Sequence, residues 1–249
     1  MTSPLFYTAE VTGAIAEQVV TLDPAASGHA VRSQRLGTQD RVLVSDGVGT
    51  LATGVIVTAD SQRTAILLES VTEVEPPAIQ VNLVQALAKG DRDVLAAEMA
   101  TEIGVDSVTP WQARRSIVRL KPDRVAKTLH KWEAKLQAAA QQARRAHIPQ
   151  LHQPITAEQV ADLHAPDRGH HVIVLHEDGQ GDIAGMVGSV RTGDTLHIVV
   201  GPEGGVSAEE LDAVITAGGV SVKIGSNVMR ASTAGPVAIA LLNQSFGRW

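Results

Sequence analysis

The sequence predicts a two-domain α/β protein: a small β-rich domain over residues 1–75, then a domain over 78–249 built on a largely parallel sheet. Three observations predict it. Short apolar runs alternate with turn residues up to position 75. Glu73-Val74-Glu75-Pro76-Pro77 then interrupts the pattern. From Ile79 onward, apolar strands alternate with helical periodicities. Strand–helix alternation requires crossover connections, and hence parallel strands covered by helices. Two prolines after acidic residues read as a stiff linker.

Taken in order, Arg41–Ser45, Leu51–Val57 and Thr64–Leu68 are strand candidates, and Asp46-Gly47 between the first two is a hairpin signal. Strands at this spacing suggest a small barrel. Beyond the linker, Ile79–Leu87 reads as a strand. Asp91–Ile103 reads as a helix stopped by Gly104, and Asp106–Trp111 as a second strand. A long helix is predicted from Pro122 to about Ala146, with Val125, Leu129, Trp132, Leu136, Ala139 and Ala143 on one face and Lys127, Lys131 and Lys135 on another. Thr156-Ala157-Glu158-Gln159 and Ser207-Ala208-Glu209-Glu210 are capping boxes that open helices. Strands are expected at His171–His176, Thr195–Val200 and Val220–Ile224, a loop or irregular element at Asp178–Gly193, and a final helix at Ala231–Phe246.

Composition narrows the function. Hydrophobic residues make up 44% of the chain, enough for a sizeable core. No apolar run approaches the ~18 residues of a membrane span, and the N-terminus has no basic segment leading into an apolar one. The absence of cysteine excludes disulfides, thiolate zinc sites and cysteine nucleophiles. A cytoplasmic protein is expected. None of the nine histidines stands at metal-ligand spacing, so no metal is expected. Net charge is −6, but it is unevenly spread: residues 89–145 carry 12 basic and 7 acidic groups. Such a basic middle suits RNA, or is simply a solvated helix face.

Two segments carry candidate chemistry. Val199-Val200-Gly201-Pro202-Glu203-Gly204-Gly205-Val206-Ser207 takes a buried strand through a glycine-rich turn into a capped helix. Ligands of open α/β sheets bind outside such strand ends, although a tight strand–helix connection would look the same. The segment matches neither the P-loop nor the dinucleotide fingerprint. In the second, Lys223-Ile224-Gly225-Ser226-Asn227-Val228-Met229-Arg230-Ala231-Ser232-Thr233-Ala234, a glycine turn is followed by an arginine at the start of an alanine-rich helix.

Together these segments resemble the RsmE family of small-subunit ribosomal RNA uridine-N3 methyltransferases, of the SPOUT class. Lys89-Gly90-Asp91-Arg92, Thr101–Val105, Gln141–Arg145 with Ile148-Pro149, Leu175-His176-Glu177, and His29 with Arg35-Leu36 also match. The chain departs from the family at Ser232, where a glutamate is usual, and at Asn227, where an arginine is usual. It also lacks the arginine expected beside Phe6-Tyr7.

The resemblance implies a SPOUT-type trefoil knot in the last third of the chain and a PUA-like β-barrel before it. It implies S-adenosylmethionine held by Leu175 and His176, by Gly201, Pro202, Glu203, Gly204 and Gly205, and by Ile224, Gly225, Val228 and Met229. A homodimer is expected, with 16S ribosomal RNA or the small ribosomal subunit as partner. RNA contacts are expected from His29, Arg32, Arg35, Lys89, Arg92, Arg114, Arg144 and Arg145. Arg230 is the candidate for stabilising charge on the uracil, with a phosphate contact as its alternative role. Glu203 is the nearest carboxylate for proton removal, or an anchor for backbone donors. The rival functions are ribose 2′-O-methylation on the same fold and non-catalytic RNA binding during ribosome assembly.

Overall fold

The computed structural model describes residues 3–249. Contacts divide the chain into two units, and the division is not a single cut. Residues 140–148, which the sequence assigns to the second domain, belong with the first 76, while 77–139 and 149–249 form the second unit.

The first unit is a five-stranded sheet. β1 (Leu5–Tyr7) pairs parallel with β3 (Arg41–Ser45), while β2 (Val19–Thr21), β4 (Thr50–Thr58) and β5 (Ala65–Glu73) complete the order β1-β3-β4-β5-β2 through antiparallel pairs. The Asp46-Gly47 hairpin forms as its sequence requires. Asp46 Oδ1 accepts the amides of Val48 and Thr50 at 2.9 and 3.0 Å, and Gly47 takes φ 80°. Phe6, Val20, Val42, Val44, Ile56, Ile66 and Leu68 close the core. α1 (Pro24–Gly28), capped by Asp23, runs into a π-helical turn at His29–Ser33.

The segment lent by the second half of the chain is stitched on by polar contacts. Tyr7 donates its hydroxyl to the Arg145 carbonyl (2.8 Å), Ser45 to that of Ala146 (3.0 Å), and the Ile148 amide donates to Gly47 (2.9 Å).

The second unit is a seven-stranded parallel sheet. Its strands are β6 (Gln80–Ala86), β7 (Ser107–Gln112), β8 (Gln150–Leu151), β9 (Ile155–Thr156), β10 (His170–Leu175), β11 (Thr195–Val200) and β12 (Val220–Val222). They lie in the order β12-β10-β11-β6-β7-β8, with β9 also on β7. Both faces are covered, so the central strands are almost continuously apolar. Val81, Leu83, Ile198 and Val200 meet α2 (Arg92–Ile103), α3 (Val125–Gln142) and α7 (Ala231–Ser245). Val84, Ala86, Trp111 and Val199 meet α4 (Ala157–Asp162) and α6 (Ala208–Thr216).

Three sequence expectations are corrected. The stretch expected to be irregular at 178–193 contains a helix, α5 (Ile183–Val187), begun by Asp182, whose carboxylate accepts the Gly185 amide. The strand expected at Val220–Ile224 ends at Val222. α3 stops at Gln142 rather than near Ala146. There the Arg145 amide reaches back to Ala140 (2.9 Å) and the Arg144 amide to Gln141 (3.1 Å), with Arg144 left-handed at φ 56°. This is a Schellman stop without its usual glycine.

Away from the strand ends that face the candidate site, a buried polar chain crosses the sheet. Asn82 Nδ2 donates to Thr109 Oγ1 (3.0 Å) and to His197 Nδ1 (2.9 Å), and His197 Nε2 lies 3.0 Å from His170 Nδ1. An amide nitrogen only donates, so His197 must accept at Nδ1 and carry its proton on Nε2. A second proton would face the Asn82 amide and three further histidines. Burial, first, and then its histidine neighbours push His197 down to about 3 from an ordinary 6.5.

Above pH 6.5 neither folded nor unfolded His197 is charged, and its contribution to stability is intact. Below it the unfolded chain takes up a proton that the folded one refuses. Stability should then fall by about 1.4 kcal/mol per pH unit towards pH 3. Urea unfolding between pH 6.5 and 5 should show a slope flatter by about one proton for His197→Asn; an identical slope would contradict this.

Candidate active site

Parallel β10, β11 and β12 are neighbours, so the loops leaving their carboxyl ends converge. Each loop is shaped by a local constraint. After β10, the 176–182 loop lies directly on β12: the Gly181 amide donates to the Ser221 carbonyl (3.0 Å), and a Cβ on Gly179 would sit 2.4 Å from the Val222 carbonyl carbon. After β11, the glycine turn folds back on itself. The Gly205 amide donates to Pro202 (2.9 Å), Gly205 takes φ 73°, and a Cβ on Gly201 would lie 2.9 Å from Val206 Cγ2 and 3.1 Å from its nitrogen. The turn then enters α6 through a complete capping box between Ser207 and Glu210. After β12, residues 223–230 lead to α7, whose N-cap is Arg230.

The loops enclose a cavity of about 610 Å³ lined by Leu175, His176, Gly201–Val206, Val228, Met229 and Arg230. A smaller recess of about 110 Å³, sharing Leu175, His176, Val228 and Met229, extends along Ile224 and Gly225. The structure thus brings all eleven residues expected to hold the cofactor to one place, with Arg230 beside them. Apolar walls with backbone donors and acceptors at strand ends fit an adenosine-bearing cofactor.

Polar contacts sort the charged residues. The Glu203 carboxylate accepts the Lys89 amide at 3.1 Å and lies 3.5 Å from the Arg92 guanidinium. Arg114 donates its amide to Glu210 (2.7 Å) and pairs with Glu158 at the surface (3.4 Å). Arg230 is exposed in the cavity wall, and its guanidinium has no hydrogen-bond or ionic partner among the described residues.

The sequence reading missed Arg115, which lines the cavity and donates to the Gly204 carbonyl at 3.2 Å. Only its place just beyond β7, next to Arg114, could have pointed to it. Gly179 was missed as well, since its need for close backbone approach depends on a strand over 40 residues away in sequence.

The residues expected to touch RNA fall into two groups. His29, Arg32 and Arg35 belong to the first unit, as do Arg144 and Arg145 on the lent segment. His29 sits edge-on to Phe6 and bonds Gln34 (2.9 Å), while the Arg32 guanidinium lies over Gly28. Lys89, Arg92 and Arg114 belong to the second unit. Of the lysine stripe on α3, Lys131 pairs with Asp91 (2.5 Å) and Lys135 with Glu98 (3.2 Å). Part of the basic middle is therefore spent on internal pairs. Among the described residues, no helix is long and apolar enough to cross a membrane.

Comparison with known proteins shows the family. Residues 75–243 match the model of the RNA methyltransferase domain family. The chain is 38% identical, over its whole length and 94% of the relative, to the ribosomal RNA small subunit methyltransferase E of Mycobacterium bovis. A Legionella pneumophila methyltransferase solved with bound S-adenosylmethionine shares its fold at TM-score 0.84, with 24% identity and 98% of each chain covered. The Neisseria gonorrhoeae ribosomal RNA small subunit methyltransferase E, also bound to S-adenosylmethionine, superposes at TM-score 0.82, with 23% identity and 98% of each chain covered. The glycine turn, the arginine-capped final helix and the full-length likeness lead to one conclusion: the chain belongs to the RNA methyltransferase family, in its ribosomal RNA small subunit methyltransferase E branch.

Proposed function

We propose that the protein transfers a methyl group from S-adenosylmethionine to N3 of a uridine in 16S ribosomal RNA, acting as a cytoplasmic homodimer. The observation that carries this is the convergence of three strand-end loops on one cavity whose wall holds Arg230, a side chain with no ionic partner among the described residues. Leu175, His176, the Gly201–Gly205 turn, Ile224, Gly225, Val228 and Met229 would hold the cofactor, which supplies an electrophilic methyl on its sulfonium.

Uridine N3 lies on the Watson–Crick edge and must be unpaired to be reached. As N3 loses its proton, negative charge grows on the flanking carbonyl oxygens. Arg230, free to present two N–H groups, stabilises that charge, and the proton leaves to solvent. Glu203 serves as an anchor: its bonds to Lys89 and Arg92 tie the glycine turn to the start of α2 and leave it poorly placed as a base.

The path of the chain supports a trefoil knot. β12 lies outside β10, yet α7 returns to pack on α2, α5, β6 and β11. In the proposed knot the chain runs from β12 beneath the 176–194 connection to reach these contacts. The five-stranded first unit, with its basic residues, is proposed as the PUA-like RNA-binding barrel. Exposed Val228 and Leu241 support the dimer.

Calorimetric titration with S-adenosylmethionine tests the proposal. Saturable binding is expected, and absence of binding by the folded protein would overturn it.

A further inference from the structure

A second cavity lies beside the first, within the same unit. It measures about 550 Å³, in the range of small-ligand pockets, and shares no lining residue with the cavity of about 610 Å³. The short stretch Lys89–Arg92 separates the two: Lys89 and Asp91 line the new cavity, while Arg92 lines the other. Two left-handed residues, Gly90 (φ 68°) and Asp91 (φ 57°), fold that stretch tightly enough to wall both.

The lining is of two kinds. Half-buried Val118 and Leu120 supply apolar surface, with Leu87 and Trp132 buried behind them. Lys89, Arg119, Arg124, Lys127 and Lys131 supply five cations against the carboxylates of Asp91 and Asp93. Lys131 pairs with Asp91, and Arg119 is held by the carbonyls of Ala113 and Arg114. Arg124 and Lys127 are exposed and have no ionic partner among the described residues. Such a cationic excess on a protein of net charge −6 calls for an anion. The apolar surface calls for a flat, uncharged body attached to it.

We propose that this cavity is a second nucleotide subsite, taking an unpaired residue of the substrate RNA next to the methylated uridine. Its phosphates lie against Arg124 and Lys127, and its base enters over Val118 and Leu120. Asp93 is buried in the wall, with its carboxylate accepting the Ala88 and Val94 amides at 3.2 and 2.8 Å. Burial pushes its carboxyl above the usual range. Two splayed nucleotides held on either side of Lys89–Arg92 would fix which uridine reaches the methyl group.

This inference rests on the proposed methyltransferase activity, and the test keeps the two apart. Small ribosomal subunits from a strain lacking the enzyme serve as probe, with wild-type cofactor binding and methyl transfer measured first. If wild type transfers no methyl group, the activity proposal fails. With wild type active, Arg124→Glu/Lys127→Glu should bind RNA at least tenfold more weakly, with a salt slope smaller by roughly 1.4, and bind cofactor as before. Thr128→Trp, which fills the cavity from α3, should weaken RNA binding about tenfold with the salt slope unchanged. Wild-type RNA affinity in the charge-reversed protein overturns the subsite. Wild-type affinity in a folded Thr128→Trp protein reduces it to a phosphate-binding rim and overturns the base pocket.

Discussion

Arg230→Ala is expected to slow methyl transfer by about 10²–10³ at saturating RNA and cofactor, the usual cost of removing one preorganised donor from a site where charge develops. Cofactor affinity should change little, because the apolar walls and the glycine turn remain. The expectation comes from the position of the side chain. Arg230 is the N-cap of α7 in extended conformation (φ −67°, ψ 155°), so the backbone there is fixed by the helix start. Its carbonyl accepts the Thr233 and Ala234 amides at 2.8 and 3.0 Å, while the guanidinium is left to the cavity. Arg230→Lys should recover little, since an ammonium cannot present two parallel donors to uracil. If Arg230 only grips a phosphate, the alanine variant will bind RNA weakly yet turn over normally once saturated. Single-turnover kinetics separate these outcomes.

Gly201→Val should lower S-adenosylmethionine affinity about a hundredfold, near 2.7 kcal/mol. The added side chain would meet Val206 and the backbone of Gly205 within about 3.2 Å, so the turn must open. Gly225→Val probes the same pocket differently. Apart from its two chain neighbours, no atom of the described residues lies within 4 Å of a Cβ there, so the fold should tolerate valine. Loss of affinity would then mean that the open space belongs to the cofactor. Gly37→Val, also in open space but in the first unit, should bind normally. Titration calorimetry with thermal unfolding as a fold check reads all three. Normal binding by Gly225→Val would remove the 224–229 loop from the site.

What could be read from the sequence follows from where the information lies. The parallel sheet, both capping boxes, the Asp46-Gly47 hairpin and the Gly104 stop are set by local patterns of period or cap, and all appear in the structure. The end of α3 was not legible, because Arg144 takes the left-handed cap that glycine normally marks. Nor was the transfer of residues 140–148 to the first unit, which depends on Tyr7 and Ser45 meeting carbonyls more than 100 residues away in sequence.

At the site, the glycine turn and Arg230 stood out because strand-end glycines and a helix-start arginine have chemical meaning on their own. Arg115 did not. Which of two adjacent arginines reaches the cavity is decided by the path of the chain after β7: Arg114 is turned to Glu210 and Glu158, and Arg115 to Gly204. Glu203 reads in sequence as either a base or an anchor for backbone donors, and its carboxylate is engaged by Lys89 and Arg92 from another strand end.

The central claim is methylation of uridine N3 in small-subunit ribosomal RNA. The most direct test is nucleoside mass spectrometry of 16S RNA from a strain lacking the gene, before and after incubation of its small subunits with purified protein and S-adenosylmethionine. The account predicts that 3-methyluridine is missing before incubation and restored after it, and that it is not restored by Arg230→Ala in the same time. Undiminished 3-methyluridine in the deletion strain, or a methyl group found on ribose instead, would contradict it.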